Sequence, residues 1–203
     1  MRPRLPTCLL ACLFALPAHA ETPPQAPGPV ERLVLAYRLA AAGGDQRDGL
    51  AQITAARLAG ATTLQALEVK PEVEGKGKAE AVPLPDAAAL LAQAQKAVEA
   101  DETLGILLAG SEASLAQLPK ATLRAQAGAL APGQTHRYRL PVDGGAAVEL
   151  GVIASSPLQL EVATESGILC KGADLCRVTL PESGYLAVTL TSAAGASYQL
   201  LTH

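Results

Sequence analysis

The spacing of apolar residues changes once along this chain, across residues 117–134, and this change constrains the fold most. Before it, apolar residues recur every three or four positions, as in stretch 30–41, which indicates amphipathic helices. After it, apolar and polar residues alternate, as in stretches 135–140 and 158–162, which indicates strands. The two periods need different backbone conformations, so the sequence predicts an α+β protein with a small N-terminal α-helical bundle followed by an antiparallel β-sandwich.

The helical half is predicted to span residues 30–116 and to contain four helices. Gly43 and Gly44 are predicted to end the first helix, with Asp45 as the N-cap of the second and Asp48 as its partner. Further along, Asp86 and Asp101 are predicted to cap the third and fourth helices, in keeping with the preference for Asp at that position.

Two stretches lack either period. Residues 68–85 are rich in Glu, Lys, Pro and Gly, which predicts a mobile, solvated loop inserted in the helical domain, with a partner-binding strap as the alternative. Residues 117–133 contain two prolines and two glycines and are predicted to be a linker. The β-sandwich domain then occupies residues 134–203, where six or seven short strands alternate with turn signals.

The first twenty residues predict export. Two arginines precede a short apolar run from Leu9 to Leu16, and Ala18-His19-Ala20 has the small-x-small pattern of a signal peptidase site. Residues 1–20 are therefore predicted to be a cleaved signal peptide, with cleavage between Ala20 and Glu21. Lipidation at Cys12 is the alternative. Residues 21–29 are Pro-rich and predict a disordered leader, and nothing after residue 20 predicts an integral membrane segment.

Cleavage would leave two of the four cysteines, Cys170 and Cys176. An even count in an exported protein predicts one structural disulfide. The alternative is a redox pair, but the spacing is C-x5-C rather than the C-x-x-C that such pairs use.

The composition excludes several kinds of partner. Removing two arginines from 16 basic residues leaves 14 against 19 acidic residues, a net charge of about −5, whereas nucleic acids and anionic membranes need clustered Lys and Arg. No metal is expected, because zinc needs more ligands than two cysteines. No cofactor is expected either, since no Gly-rich loop precedes a helix with Lys and Ser or Thr.

Candidate catalytic residues are few. A Ser-His-Asp arrangement needs a histidine base, and the mature histidines are His136 in a predicted strand and His203 at the last position. His136 as a general base is weighed against the ordinary case, a strand histidine with a satisfied hydrogen-bond partner. Paired carboxylates such as Asp45 with Asp48 and Asp101 with Glu102 lie where helix N-termini favour negative charge. The sequence therefore predicts no catalytic residue.

Residues 134–202 resemble the bacterial pre-peptidase C-terminal domain, which is appended to exported proteins. The resemblance lies in Tyr138-Arg139-Leu140, in 158–162, in 167–170, in 176–178, in the Pro-x-Ser-Gly-Tyr stretch at 181–185 and in 197–200. It implies a jelly-roll-like sandwich that serves as an accessory or binding module without catalytic residues. Family members often carry an Asp-x-Asp-Leu stretch where this chain has Leu158-Gln159-Leu160-Glu161. With Glu161, Glu165 and Asp174 as the nearby acids, no calcium site is expected.

Two functions are therefore weighed. The first is a periplasmic or secreted non-enzymatic protein that binds another envelope protein through its helical half or its sandwich. The second is a periplasmic hydrolase with an unrecognised carboxylate site.

Overall fold

The structure, a computed structural model, describes residues 26–117 and 119–203. The predicted signal peptide, its cleavage site between Ala20 and Glu21, and Cys12 lie outside the described residues. Of the predicted leader, residues 26–28 are described and have no regular structure, and the first helix begins at Pro29.

The described residues form four helices and ten strands, so the protein is α+β. In chain order these are α1 (Pro29–Gln46), α2 (Gly49–Gly60), β1 (Thr62–Ala66), β2 (Glu72–Glu74), α3 (Ala87–Ala97), α4 (Glu102–Leu115), β3 (Ala121–Leu130), β4 (Thr135–Val142), β5 (Ala147–Ala154), β6 (Gln159–Thr164), β7 (Gly167–Ala173), β8 (Leu175–Thr179), β9 (Gly184–Thr191) and β10 (Ala196–Thr202).

The strands form two five-stranded sheets. The first sheet has the order β1-β3-β10-β5-β8 and the second has the order β2-β4-β9-β6-β7. β1 and β3 are parallel, and the other pairs are antiparallel. One apolar cluster combines alternate residues of both sheets: Leu67, Leu130, Tyr138, Leu140, Leu150, Val152, Leu160, Val162, Cys176, Val178, Leu186, Val188, Leu190, Tyr198 and Leu200. The inward-facing period of two is what brings these side chains together.

The helices cover the other face of the first sheet. Leu123, Ile153 and Leu201 point away from the inter-sheet cluster and join a second cluster with the helices. The helical members of that cluster are Val30, Leu33, Val34, Ala36, Ile53, Ala56, Ala59, Leu90, Ala94, Val98 and Leu108. The first sheet is thus buried on both faces where the helices lie on it, which explains why β10 carries the consecutive apolar residues Leu200 and Leu201.

The structure places strands where the sequence predicted irregular chain. β3 lies inside the predicted linker 117–133, and β1 and β2 lie in the stretch before α3, β2 within the predicted loop 68–85. Position 128 in β3 has room only for glycine, because the ring of Tyr198 on the paired strand β10 occupies the space where a Cβ would stand. The division into separate domains stays a prediction.

The helix caps follow local chemistry. Asp48, Asp86 and Asp101 each accept a hydrogen bond from the backbone N–H three residues ahead, at 2.8–3.0 Å. The predicted role of Asp45 as an N-cap is wrong, since α1 continues through the two glycines to Gln46 and Asp48 caps α2. Arg47 ends α1 in the left-handed region, with φ of 55°.

Candidate functional site

An apolar cavity of about 550 Å³ lies between the helices and the outer face of the first sheet. α1 and α2 form one wall, the strands β1, β3 and β10 form the floor, and residues 81–88 form the opposite wall. The lining residues are Leu33, Tyr37, Ala59, Thr62, Leu64, Ala81, Val82, Pro83, Leu84, Pro85, Asp86, Ala87, Ala88, Ala127, Gly128, Tyr198 and Gln199. A cavity of this size and lining is typical of ligand or peptide side-chain sites.

The segment from Gly75 to Asp86, called here the strap, is held against the sheets. Gly77 O accepts a hydrogen bond from Gln134 Nε2 at 3.0 Å, and Val82 N donates to Ser197 Oγ at 2.8 Å. Nearer its end, Pro85 O accepts one from Tyr37 Oη at 2.5 Å. The predicted solvated loop therefore has three side-chain anchors in its second half.

Few polar side chains line the cavity, and two of them, Asp86 and Tyr37, hydrogen-bond to the backbone. Among the described residues that line it, Asp86 carries the one charge, and its carboxylate accepts the N–H of Ala89 at 2.8 Å. Burial, and then the nearby Asp86 carboxylate, raises the pKa of Tyr37, so its hydroxyl stays protonated and donates to Pro85. This lining therefore offers mainly apolar contact surface.

Strand β1 borders the cavity and forms an edge of the first sheet. Ala121 N donates to Ala61 O at 3.0 Å, and Leu67 N donates to Ala125 O at 2.8 Å. The backbone N–H and C=O groups of the odd-numbered residues from 61 to 67 therefore point toward β3. In a parallel ladder the backbone groups of the even-numbered residues then face away from β3, toward the open edge. Thr62 and Leu64 also direct their side chains to the cavity.

The disulfide predicted between Cys170 and Cys176 is present, with the two Cα atoms 6.2 Å apart. It connects β7 of the second sheet with β8 of the first, so it ties the two sheets together at one side. Neither cysteine lines the cavity, and the link between the two sheets indicates a structural role.

His136, the candidate base weighed from the sequence, is buried in a network of aromatic side chains. Its Nδ1 lies 2.6 Å from Tyr198 Oη, which lies 2.5 Å from Tyr138 Oη. Burial lowers the pKa of His136 and raises that of Tyr138 and Tyr198. His136 and Tyr138 belong to the second sheet and Tyr198 to the first, so this chain of hydrogen bonds connects the sheets across their core.

Glu149 on β5 connects the first sheet to α1. Its carboxylate is buried, accepts the N–H of Val30 at 3.1 Å and pairs with Arg177 on β8. A hydrogen bond to Glu149 raises the pKa of Arg177. Gly28 is needed beside this carboxylate, because an added Cβ would stand 1.6 Å from Glu149 Oε1. A carboxylate at a helix N-terminus stabilises the helix, so Glu149 caps α1 from a distant strand.

Two of the three acids weighed for calcium, Glu161 and Asp174, each pair with a single cation. Glu161 Oε2 lies 2.7 Å from Lys171 Nζ, and Asp174 Oδ2 accepts a hydrogen bond from Arg38 Nε at 2.8 Å. Within residues 26–117 and 119–203, no group of three or more His, Cys, Asp or Glu side chains could hold a metal ion.

One helix face is exposed without a partner in the described chain. α4 buries Leu108, whereas Ile106 and Leu107 are 70% and 46% exposed. No helix in the described part of the chain is long and apolar enough to cross a membrane.

Comparison with known proteins gives distant likenesses. No family model matches the chain, and no curated protein sequence matches it. Aeromonas hydrophila PliG, a periplasmic inhibitor of g-type lysozyme, is 15% identical with a TM-score of 0.36, over 39% of this chain and 83% of that one. A de novo designed double-stranded β-helix is 18% identical with a TM-score of 0.27, over 39% of this chain and 99% of that one. Likenesses at this level carry no argument about function.

Proposed function

We propose that this protein is an exported, non-enzymatic accessory protein that binds another protein of the bacterial envelope. The observation that carries the proposal is the open apolar cavity beside an exposed strand edge. Apolar surface of this kind supports recognition, because burying it against a partner removes it from water.

The cavity chemistry favours binding over catalysis. A hydrolase needs a nucleophile or an activated water held by a base of suitable pKa. Asp86 is engaged in capping α3, and Tyr37 is held protonated. The buried His136 contacts a tyrosine hydroxyl, and burial lowers its pKa.

The cellular compartment and the form of the two β-sheets are also part of the proposal. The signal peptide predicted at residues 1–20 and the Cys170–Cys176 disulfide support an oxidising compartment, periplasmic or extracellular. The two sheets share one apolar cluster, which supports a sandwich of jelly-roll-like form and the proposed kinship of residues 134–202 with the pre-peptidase C-terminal domain.

The test is crosslinking in living bacteria followed by purification. An affinity tag placed directly after Glu21 precedes both Gly28 and α1, so it leaves the packing of Gly28 against Glu149 in place. We expect one envelope protein to be recovered with the exported form and not with a matched control that lacks residues 2–20 and stays in the cytoplasm. The intact mass of the untagged exported protein should equal that of a chain whose first residue is Glu21.

The purified mature protein also tests the alternative function. We expect no turnover of ester, peptide or glycoside substrates. Turnover that is lost when one carboxylate, such as Asp86, is replaced by Asn in a folded variant would overturn the proposal in favour of a hydrolase. Absence of any specific crosslinked partner would overturn it as well.

A further inference from the structure

We propose that the partner binds by adding an extended strand to the free edge of β1, with apolar side chains at every second position entering the adjoining cavity. This inference rests on the proposed function and specifies the partner's contact as an extended, alternating apolar segment.

The backbone of β1 is suited to this pairing. Residues 62, 64 and 66 direct their N–H and C=O groups away from β3, as the two ladder hydrogen bonds at Ala61 and Leu67 require. Residues 63–66 are exposed, so these groups are accessible. An unpaired row of alternating donors and acceptors is complementary to another extended backbone, and strand addition to such edges is a common mode of peptide recognition.

The other three sheet edges carry the features that discourage strand addition. β2 has three residues, of which Glu72 and Glu74 are charged. β7 carries Lys171 and has two register irregularities against β6. β8 carries Arg177 and is tied to β7 through the disulfide. Charges, irregular pairing and short length protect an edge. β1, with the sequence Thr-Thr-Leu-Gln-Ala, has neither charge nor proline.

The cavity determines which side chains the added strand needs. Residues opposite Thr62 and Leu64 would point to the same face of the sheet as those two side chains, because paired residues share a face. That face opens into the cavity, where the described lining carries one charge, Asp86. Aliphatic side chains at alternate positions therefore fit the site, and acidic ones are disfavoured by repulsion from Asp86.

The first experiment places a photo-crosslinking amino acid at Gln65 in the full chain, expressed in its own bacterium. Matched controls carry the same amino acid at Ile168 on the edge strand β7 and at Ile106 on α4, which are both exposed. We expect an adduct from position 65, and peptide mapping by mass spectrometry should place it on a partner segment with apolar residues at every second position. An adduct at position 65 on a partner segment without this apolar alternation would overturn the proposal.

The second experiment measures the affinity of the mapped segment, synthesised as a labelled peptide, for the purified full chain by fluorescence anisotropy. Ala66→Pro removes an N–H that faces the open edge but leaves every hydrogen bond between β1 and β3 in place. We therefore expect the peptide to bind about tenfold more weakly. Ala66→Val keeps that N–H and should bind within about twofold of the unaltered protein. N-methylation at alternate peptide positions gives the same test without altering the protein: the set that faces β1 should weaken binding and the other set should not.

The outcomes separate the two proposals. An adduct from position 106 or 168 and none from 65 would retain a protein-binding function and refute the edge site. Equal affinity of the two N-methylated peptide sets would also refute strand addition. No adduct at any position, together with no partner recovered by the tagged protein, would refute both proposals.

Discussion

Replacing Glu149 by alanine should reveal how firmly α1 is held on the first sheet. The carboxylate is 7% exposed, accepts the N–H of the fully buried Val30 and pairs with Arg177. Removing it leaves that N–H without its charged acceptor, which costs about 3 kcal/mol in the free energy of unfolding. For a chain of this length the loss corresponds to a fall of about 6–12 °C in Tm.

The chain offers a matched control. Glu161 is also a strand glutamate paired with one cation, Lys171, but its side chain is 28% exposed and caps no helix. Glu161→Ala should therefore cost about 0–1 kcal/mol. Glu149→Gln, which keeps an acceptor oxygen for Val30 but loses the charge, should lie between the two.

Urea unfolding at neutral pH, followed by circular dichroism, measures all three free energies. Hydrogen exchange should also show the amides at the start of α1 exchanging faster in Glu149→Ala and unchanged in Glu161→Ala. Equal losses for the two alanine variants, or a loss below about 1 kcal/mol at Glu149, would refute the capping role.

The disulfide, the packing at Gly128 and the helix–sheet cluster each give a further prediction. Thiol labelling of the native exported protein should find neither Cys170 nor Cys176 free, and replacing both by alanine should cost about 2 kcal/mol, measured by urea unfolding against the oxidised protein. Gly128→Ala places a methyl group against a buried tyrosine ring and should cost about 1–3 kcal/mol, whereas Gly110→Ala, in open space on α4, should stabilise by about 0.5–1 kcal/mol. A fragment of residues 119–203 lacks the helices that cover one face of the first sheet, and thermal unfolding should show no cooperative transition, unlike the full chain.

That last expectation differs from the separate β-sandwich domain that the sequence predicts over residues 134–203. The helices bury Leu123, Ile153 and Leu201 of the first sheet. Exposing each of these side chains costs about 1.5–3 kcal/mol, and a typical domain is stable by about 5–15 kcal/mol in total. A cooperative transition in the isolated fragment would show that the two predicted domains are separable after all.

Local signals in the sequence predicted the features that depend on neighbours in the chain. Asp86 and Asp101 cap helices because a carboxylate there reaches an N–H three residues ahead. The strands after residue 134 show a period of two because one face of each is buried. The disulfide followed from the cysteine count and the predicted compartment.

The features of the candidate site depend on distant contacts and gave weak local signals. β3 has alanine or glycine at half of its positions, so its alternation of apolar and polar residues is faint. Its parallel partner β1 is separated from it in the sequence by β2, α3 and α4. The strap has a loop composition, yet distant side chains such as Gln134 and Ser197 hold it in place. No periodicity in the sequence could have shown that these segments enclose a cavity.

The central claim, that the cavity binds a protein partner, is tested most directly by the amount of partner recovered with a charged cavity variant. Ala127 lines the cavity and is exposed, and Ala187 is exposed on the outer face of the second sheet, so Ala127→Glu and Ala187→Glu introduce the same side chain at two strand positions. Quantitative mass spectrometry after crosslinking should find the partner reduced about tenfold or more with Ala127→Glu and unchanged with Ala187→Glu. Equal recovery with both folded variants would contradict the account.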